Sequence, residues 1–347
     1  MTTINIVDQT SAIENIFLVG LIAFFISMLI TPMYTAIAYK YKWWKKPRTT
    51  TLTGEKATEF QKLHAAKHRR NIPTMAGLIM LIGVGITTLL FNLSREQTWL
   101  PLAAMIGAGI VGLIDDYINI KGDGSGVAGL RSKLKFMLIA GVALVCGWWF
   151  FDKLDVTSFY IPGLGDLAIG WLIVPLFMLV VISTANAVNI SDGLDGLAGG
   201  LLATSFAAYA VIALLQGRYG VAAFCMTVVG SLLAYVWFNI YPARFFMGDV
   251  GSFSLGMALG VVAMITDTLI LLPVIGFVFV AEAGSVIIQT ISKKTRHGKK
   301  IFRISPVHHH FEAIGWPETK VTMRFWVIGQ VMAVVGLVLA IIGGFIS

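Results

Sequence analysis

The sequence predicts an all-α polytopic integral membrane protein of about ten transmembrane helices, and three observations carry that prediction. Of the residues, 57% are hydrophobic and 13% charged, with mean hydropathy +0.81, whereas about a quarter of a soluble domain is charged. Apolar runs of about 17–25 residues, the length a helix needs to cross the hydrocarbon, recur near 16–38, 73–93, 99–118, 134–151, 169–188, 196–216, 220–240, 253–268, 270–291 and 323–345. The cations between these runs are distributed unequally. Residues 1–347 therefore form one transmembrane domain.

The first fifteen residues carry two acids and no Lys or Arg, unlike the basic start of a cleaved signal peptide, so the first run is a retained span. If ten spans alternate, segments 39–72, 119–133, 189–195, 241–252 and 292–322 share one side. Of 26 Lys and Arg, the other side holds only Arg95, Lys153 and Arg218. The positive-inside rule puts the basic side in the cytoplasm and both termini outside. The net charge of +8 thus belongs to membrane-flanking loops, where anionic headgroups or a phosphorylated substrate are the partners, not nucleic acid. Cys146 and Cys225 lie on different spans without metal spacing and read as packing residues.

The first basic loop, 39–72, joins Trp43 and Trp44 to Lys45 and Lys46 as an interfacial anchor. It ends in a cluster through Arg69 and Arg70 before Pro73, where an anion could meet a helix N-terminus. The third span ends in Asp115 and Asp116, neighbouring carboxylates that disfavour each other's ionisation. A divalent cation, a basic substrate contact, a proton-transfer role or a water-exposed helix end would each account for them. The glycine-rich stretch after them lacks the phosphate-loop pattern, and Arg131, Lys133 and Lys135 open the next span. Segment 152–168, with its PGLG turn, reads as a small external hairpin.

Residues 186–200, NAVNISDGLDGLAGG, place Asn186, Asn189, Asp192 and Asp195 at spacings of three between two spans, so that successive members share a helical face. Carboxylates at bilayer depth cost roughly 2.5–3.5 kcal/mol each on insertion scales, so the stretch is either a polar site lined by protein or a cytoplasmic loop whose charges are solvated. Asp249 stands between Gly248 and Gly251 at the entry to the eighth span, where small residues admit a ligand close to the backbone. With Asn239 and Phe246 near it, Asp249 is a candidate oxygen ligand for magnesium in a nucleotide site, although Phe246 is on spacing more often a packing residue. Asp267 reads as the outer end of that span. Glu282, midway along the ninth, is either functional or paired inside the bundle. In the last basic loop, His308, His309 and His310 are consecutive and so cannot share one helical face as an i, i+4 metal cage does. They read as phosphate or substrate contacts, with one as a proton carrier. Five aspartates, two basic loops and the His run on one face fit a magnesium-dependent reaction of a phosphate ester at a membrane surface.

DDY at 115–117, NAVNISDGLDGLAGG, FMGDVGS at 246–252, PVHHHFE at 306–312 and GWPE at 315–318 together resemble the phospho-N-acetylmuramoyl-pentapeptide transferases, of the polyprenyl-phosphate N-acetylhexosamine-1-phosphate transferase superfamily. The resemblance runs from about Leu21 to Gly343, and the HHHFE loop separates this branch from its sisters. It implies transfer of phospho-MurNAc-pentapeptide from its UDP carrier to undecaprenyl phosphate, giving lipid I and UMP for peptidoglycan, cell shape and division. The setting would be the bacterial inner membrane, with the active site facing the cytoplasm, and a homodimer. Asp249 would bind Mg2+, and Asp115 and Asp116 would sit by the lipid phosphate, one as base. Asn186, Asn189, Asp192, Asp195, Asn239 and Phe246 would line the uridine and diphosphate cleft. His308, with a catalytic part, and His309 and His310 would face the sugar phosphate near Gln289, while Arg69 and Lys133 would meet substrate. Two positions depart from the family pattern: Arg69 stands for a Lys, and Asn119 stands for a basic residue that Lys121 would replace. A sister transferase using UDP-GlcNAc, disfavoured by the HHHFE loop, and a transporter, disfavoured by the lack of an internal repeat, are the alternatives.

Overall fold

A computed structural model describes residues 6–44, 71–122 and 129–346. Its helices are α1 (Ile6–Lys40), α2 (Gly77–Phe91), α3 (Trp99–Lys121), α4 (Ser132–Asp152), α5 (Ile173–Ser191), α6 (Leu197–Leu215), α7 (Tyr219–Asn239), α8 (Gly248–Ile265), α9 (Leu272–Ile275), α10 (Phe277–Thr295), α11 (Val307–Ala313) and α12 (Glu318–Ile342). Among the described residues, eight helices are long and apolar enough to cross a membrane. The chain is thus the all-α multi-pass protein its hydropathy predicts.

Two of the expected spans take other forms. The run expected at 73–93 yields a helix of 15 residues, about 22 Å at 1.5 Å per residue, because residues 71–76 are used as a strap across the bundle end. The run expected at 270–291 is broken: α9 and α10 meet at Gly276 with a bend of 82°. Hydropathy reports the apolar character of such a run, but not a change of direction within it.

α8 is the axis of the bundle. Nearly every residue in it is buried, and α2, α3, α5 and α6 surround it. Small residues let the backbones close in, as between membrane helices generally: a Cβ on Gly77 would overlap the backbone of Gly251, and one on Gly256 would lie 2.7 Å from the Ala185 Cα. α1 packs on α7 in the same way, with the Ser27 and Ser231 hydroxyls 2.6 Å apart.

Successive helices alternate in direction, so the C-terminal ends of α3, α5, α7 and α10 gather with the N-terminal ends of α4, α6, α8 and α12. At the opposite end a two-stranded antiparallel hairpin, β1 (Ser158–Ile161) and β2 (Gly165–Ala168), forms where the sequence places it. The Tyr160 N–H donates to Asp267 Oδ1 at 2.9 Å, and the Tyr160 hydroxyl donates to the Gly343 carbonyl. This clasp joins the hairpin to the far ends of α8 and α12, and it puts Asp267 at the hairpin end, as expected.

The strap and the segment before α8 are held together over an aromatic cluster. Phe245 packs on Tyr34, Tyr235 and Phe238 at 5.5–5.9 Å, and the Tyr34 hydroxyl donates to the Thr74 carbonyl at 2.6 Å. Backbone N–H groups of Phe246, Ala76 and Gly77 donate to the carbonyls of Pro73, Phe246 and Met247 in a short ladder. This fixes the entry to α8.

Gly230 on α7 faces the Gly20 carbonyl of α1 so closely that a Cβ would overlap it. Gly230→Ala is expected to lower the thermal unfolding midpoint in detergent, by overpacking of about 1–3 kcal/mol. An unchanged midpoint would mean that α1 shifts freely against α7.

Candidate active site

Three carboxylates meet at the gathered helix ends: ligand oxygens of Asp115, Asp116 and Asp249 all lie within 4.8 Å of one another. Asp115 and Asp116 come from the last turns of α3, and Asp249 comes from the first turn of α8. As neighbours on a helix, the two α3 residues diverge. Asp116 is 0% exposed and accepts the Val250 N–H at 3.1 Å, against the α8 N-terminus, whose partial positive charge suits an anion. Gly248 sits at φ +75°, and a Cβ there would press on both the Asp116 carboxylate and the Thr74 hydroxyl. Glycine meets both demands.

Asp115, also buried, accepts the Leu130 N–H at 2.7 Å. Its other oxygen is 3.0 Å from Lys135 Nζ, and the same ammonium is 2.8 Å from Asp249 Oδ2. Lys135, in the first turn of α4, therefore bridges the second pair of acids and offsets their repulsion. Lys133 is exposed two residues earlier. Lys121 lies over the Tyr117 ring at 4.5 Å, and Asn119 donates to Asp115 at 3.5 Å, so the cation at this corner comes from α4. Lys135 had a faint sequence signal, as the second of two lysines in the first turn of an apolar helix. The donor set is all carboxylate oxygen, buried at Asp115 and Asp116 and half-buried at Asp249, which fits a small hard cation such as Mg2+.

The 186–196 stretch divides into two kinds of residue. Asn189 donates to Ser252 Oγ at 2.8 Å, and Ser252 donates to the Gly248 carbonyl, tying α5 to the turn that carries Asp249. Asp192, half-buried, ends α5. Asp195 and Asn239 are buried braces: Asp195 accepts the Ala243 N–H, while Asn239 accepts the Gly196 N–H and donates to the Phe245 carbonyl. Glu318, at the start of α12, accepts the Asp195 N–H. Asn186 is exposed and donates to its own helix at the Ile182 carbonyl. Phe246 is half-buried at the rim beside Asp249. Arg69 lies outside the described residues.

The His run forms α11. His308 Nδ1 is 2.9 Å from Glu282 Oε2, so the mid-span acid of α10 is paired inside the bundle. His309 Nδ1 is 2.7 Å from Glu312 Oε2, and the two imidazoles meet edge to face at 4.0 Å. His310 accepts the Arg303 N–H and packs on Phe302. Gln289 accepts the N–H groups of Ile301 and Phe302 and donates to the Phe302 carbonyl, pinning the strand of chain that leads to α11. The His308 ring lies against Gly193, where a Cβ would overlap Nε2. That contact joins the His run to the DGLDG turn. Glu282 and His308 were each visible in the sequence; their pairing, across 26 residues, was not.

Burial, and after it the adjacent His308, lowers the His309 pKa from 6.5 to about 4, with Glu312 opposing. Between these values the unfolded chain binds more protons, so acid favours unfolding there. His309 thus contributes stability that is complete above about pH 6.5 and declines as pH falls toward 4. Unfolding midpoints in detergent from pH 7.5 to 5 are expected to fall more steeply for the wild type than for His309→Gln; parallel slopes would refute this.

The family described as glycosyl transferase family 4 matches residues 98–267, which span α3 to the end of α8. A phospho-N-acetylmuramoyl-pentapeptide-transferase of Geobacillus sp. (strain WCH70) is 39% identical over 333 residues, 94% of this chain and 98% of the relative. Its namesake in Anoxybacillus flavithermus is 40% identical over 93% of this chain and 96% of its own. That of Chloroflexus aggregans is 43% identical over 78% of each. With the carboxylate cluster, the DGLDG turn and the HHHFE loop at one end of a helical bundle, and with this identity along nearly its whole length, the chain belongs to the phospho-N-acetylmuramoyl-pentapeptide-transferase family.

Proposed function

We propose that this chain transfers phospho-MurNAc-pentapeptide from UDP-MurNAc-pentapeptide to undecaprenyl phosphate, in a Mg2+-dependent reaction at the cytoplasmic face of the bacterial inner membrane. A phosphate oxygen of the lipid bonds to the sugar-bearing phosphorus, and the bond from that phosphorus to UMP breaks. The products are lipid I and UMP. The observation that carries the reading is the convergence of Asp115, Asp116, Asp249 and Lys135 at one end of the bundle.

Asp249, with Asp115 and Asp116 in reach, would hold magnesium, which when bound supplies positive charge to the diphosphate oxygens. Lys135 keeps Asp115 and Asp249 close despite their like charge. Asp115 or Asp116 takes the role of base toward the lipid phosphate, since both are buried and already oriented by backbone N–H groups. Asn189, Asp192 and Phe246 line the nucleotide side, while Asp195, Asn239 and Gln289 serve it by holding backbone in place. His309 and His310 would face the sugar phosphate from α11, with His308 buried behind them against the Gly193 turn. An apolar groove lined by Leu179, Ala187, Leu259, Pro273, Phe279 and Ile287 suits the polyprenyl chain.

The basic residues flanking the carboxylate end support its cytoplasmic placement and leave both termini, with the hairpin, outside. The family resemblance favours a homodimer.

UMP release by the purified protein with undecaprenyl phosphate is expected with UDP-MurNAc-pentapeptide and not with UDP-GlcNAc. It should stop on chelation, resume with Mg2+, and fall by about a hundredfold or more in Asp249→Asn. Turnover of UDP-GlcNAc would move the chain to a sister activity.

Lys133 and Lys135 can be separated by the same assay. Lys135→Met should lose about a hundredfold or more in kcat, on the scale of a removed charge contact in an active site, with Lys133→Met losing far less. The reverse order would return the substrate cation to Lys133.

A further inference from the structure

Glu282 lies outside the carboxylate cluster and is the buried acid that the reaction as described leaves unused. It is 0% exposed on α10, and its one side-chain partner, His308, is also 0% exposed. Glu282 Oε2 stands 2.9 Å from His308 Nδ1, while Oε1 has no hydrogen-bond partner among the described residues. A carboxyl group gives up its hydration in such a place and recovers only part of it, so an apolar pair of the same size in place of both Glu282 and His308 would be about as stable, whereas loss of Glu282 alone leaves His308 Nδ1 unpaired. A stabilising role therefore does not explain it.

The two ring nitrogens of His308 have different surroundings. Nδ1 meets the Glu282 carboxylate, and Nε2 lies against the backbone of Gly193, between Asp192 and Asp195 in the turn from α5 to α6. A carboxylate that accepts from Nδ1–H selects that tautomer, fixes the ring plane and leaves the other nitrogen to act. The remaining titratable groups about the ring are His309 and Glu312 of α11, which are engaged with each other at 2.7 Å, and the two aspartates of the facing turn. At Nδ1 the carboxylate is that of Glu282.

We propose that Glu282 is a positioning residue for the transfer reaction, holding His308 with Nδ1 protonated and Nε2 directed at the Asp192–Asp195 turn. It touches no substrate and acts through His308. The proposal rests on the function given above.

The test uses the full-length protein in detergent, with Glu282→Leu and Glu282→Gln. Histidine nitrogen NMR, with His308→Asn to assign the ring, reads the tautomer without turnover. Wild-type UMP release tests the functional reading separately. In Glu282→Leu, the Nδ1 proton of His308 should move to Nε2, and kcat should fall about tenfold to a hundredfold. KM for the UDP substrate should stay within about twofold, and Glu282→Gln, which keeps an acceptor for Nδ1–H, should keep the wild-type thermal midpoint. Glu282→Gln, whose amide oxygen still accepts from Nδ1–H, should recover part of kcat. A Glu282→Leu protein with wild-type kcat, or with the His308 tautomer unmoved, overturns the proposal. So does a kcat loss that follows a lowered thermal midpoint in both variants. A tautomer change in a protein whose wild type releases no UMP would instead remove the functional reading.

Discussion

Three carboxylates held within 4.8 Å of one another inside an apolar bundle form an arrangement that electrostatics opposes, and the neighbouring structure is shaped by what offsets that repulsion. Lys135 joins Asp115 to Asp249, the α8 N-terminus receives Asp116, and Leu130 supplies an N–H to Asp115. Each offset requires a backbone in a fixed place. The strap at 71–76, the aromatic cluster under Phe245 and the left-handed Gly248 together set the height at which α8 begins. The fully buried α8 then transmits that placement along the bundle.

The polar residues near the cluster fall into two groups by what their atoms touch. Asp195, Asn239 and Gln289 use their side chains on backbone groups, in the way that irregular chain at membrane depth must be satisfied from within the protein. Asp192, Phe246 and Asp249 are half-buried at the rim. An acid or amide in a motif thus also serves as the support of a loop. His308 belongs with neither group: it is fully buried, yet it spans from α10 to the turn that bears the aspartates.

Much of this was legible in the sequence. Runs of apolar residues locate the helices because a helix must satisfy its own backbone in lipid, so the helical bundle, the hairpin at 158–168 and the gathering of Asp115, Asp116, Asp192, Asp195 and Asp249 at one end were legible, although the ten expected spans become eight long helices, one short helix and one bent pair among the described residues. The break at Gly276 was not, since nothing in the mean hydropathy of 270–291 changes where the direction does. The Lys135 bridge spans 114 residues to Asp249, and the Glu282–His308 pair joins α10 to α11. Such contacts are set by tertiary packing, which local patterns do not encode. For the same reason the sequence pointed to Lys133 and Lys121 and not to the ion pairs that Lys135 makes with Asp115 and Asp249.

α4 and α8 meet at the carboxylates but live in different solvents. The outer face of α4 exposes Phe136, Met137, Leu144, Val145 and Trp148 to lipid, whereas α8 touches protein along its whole length. Helices in contact with lipid answer to bilayer thickness by tilting. The Lys135–Asp249 ion pair therefore ties a helix that responds to hydrophobic mismatch to one that is shielded from it.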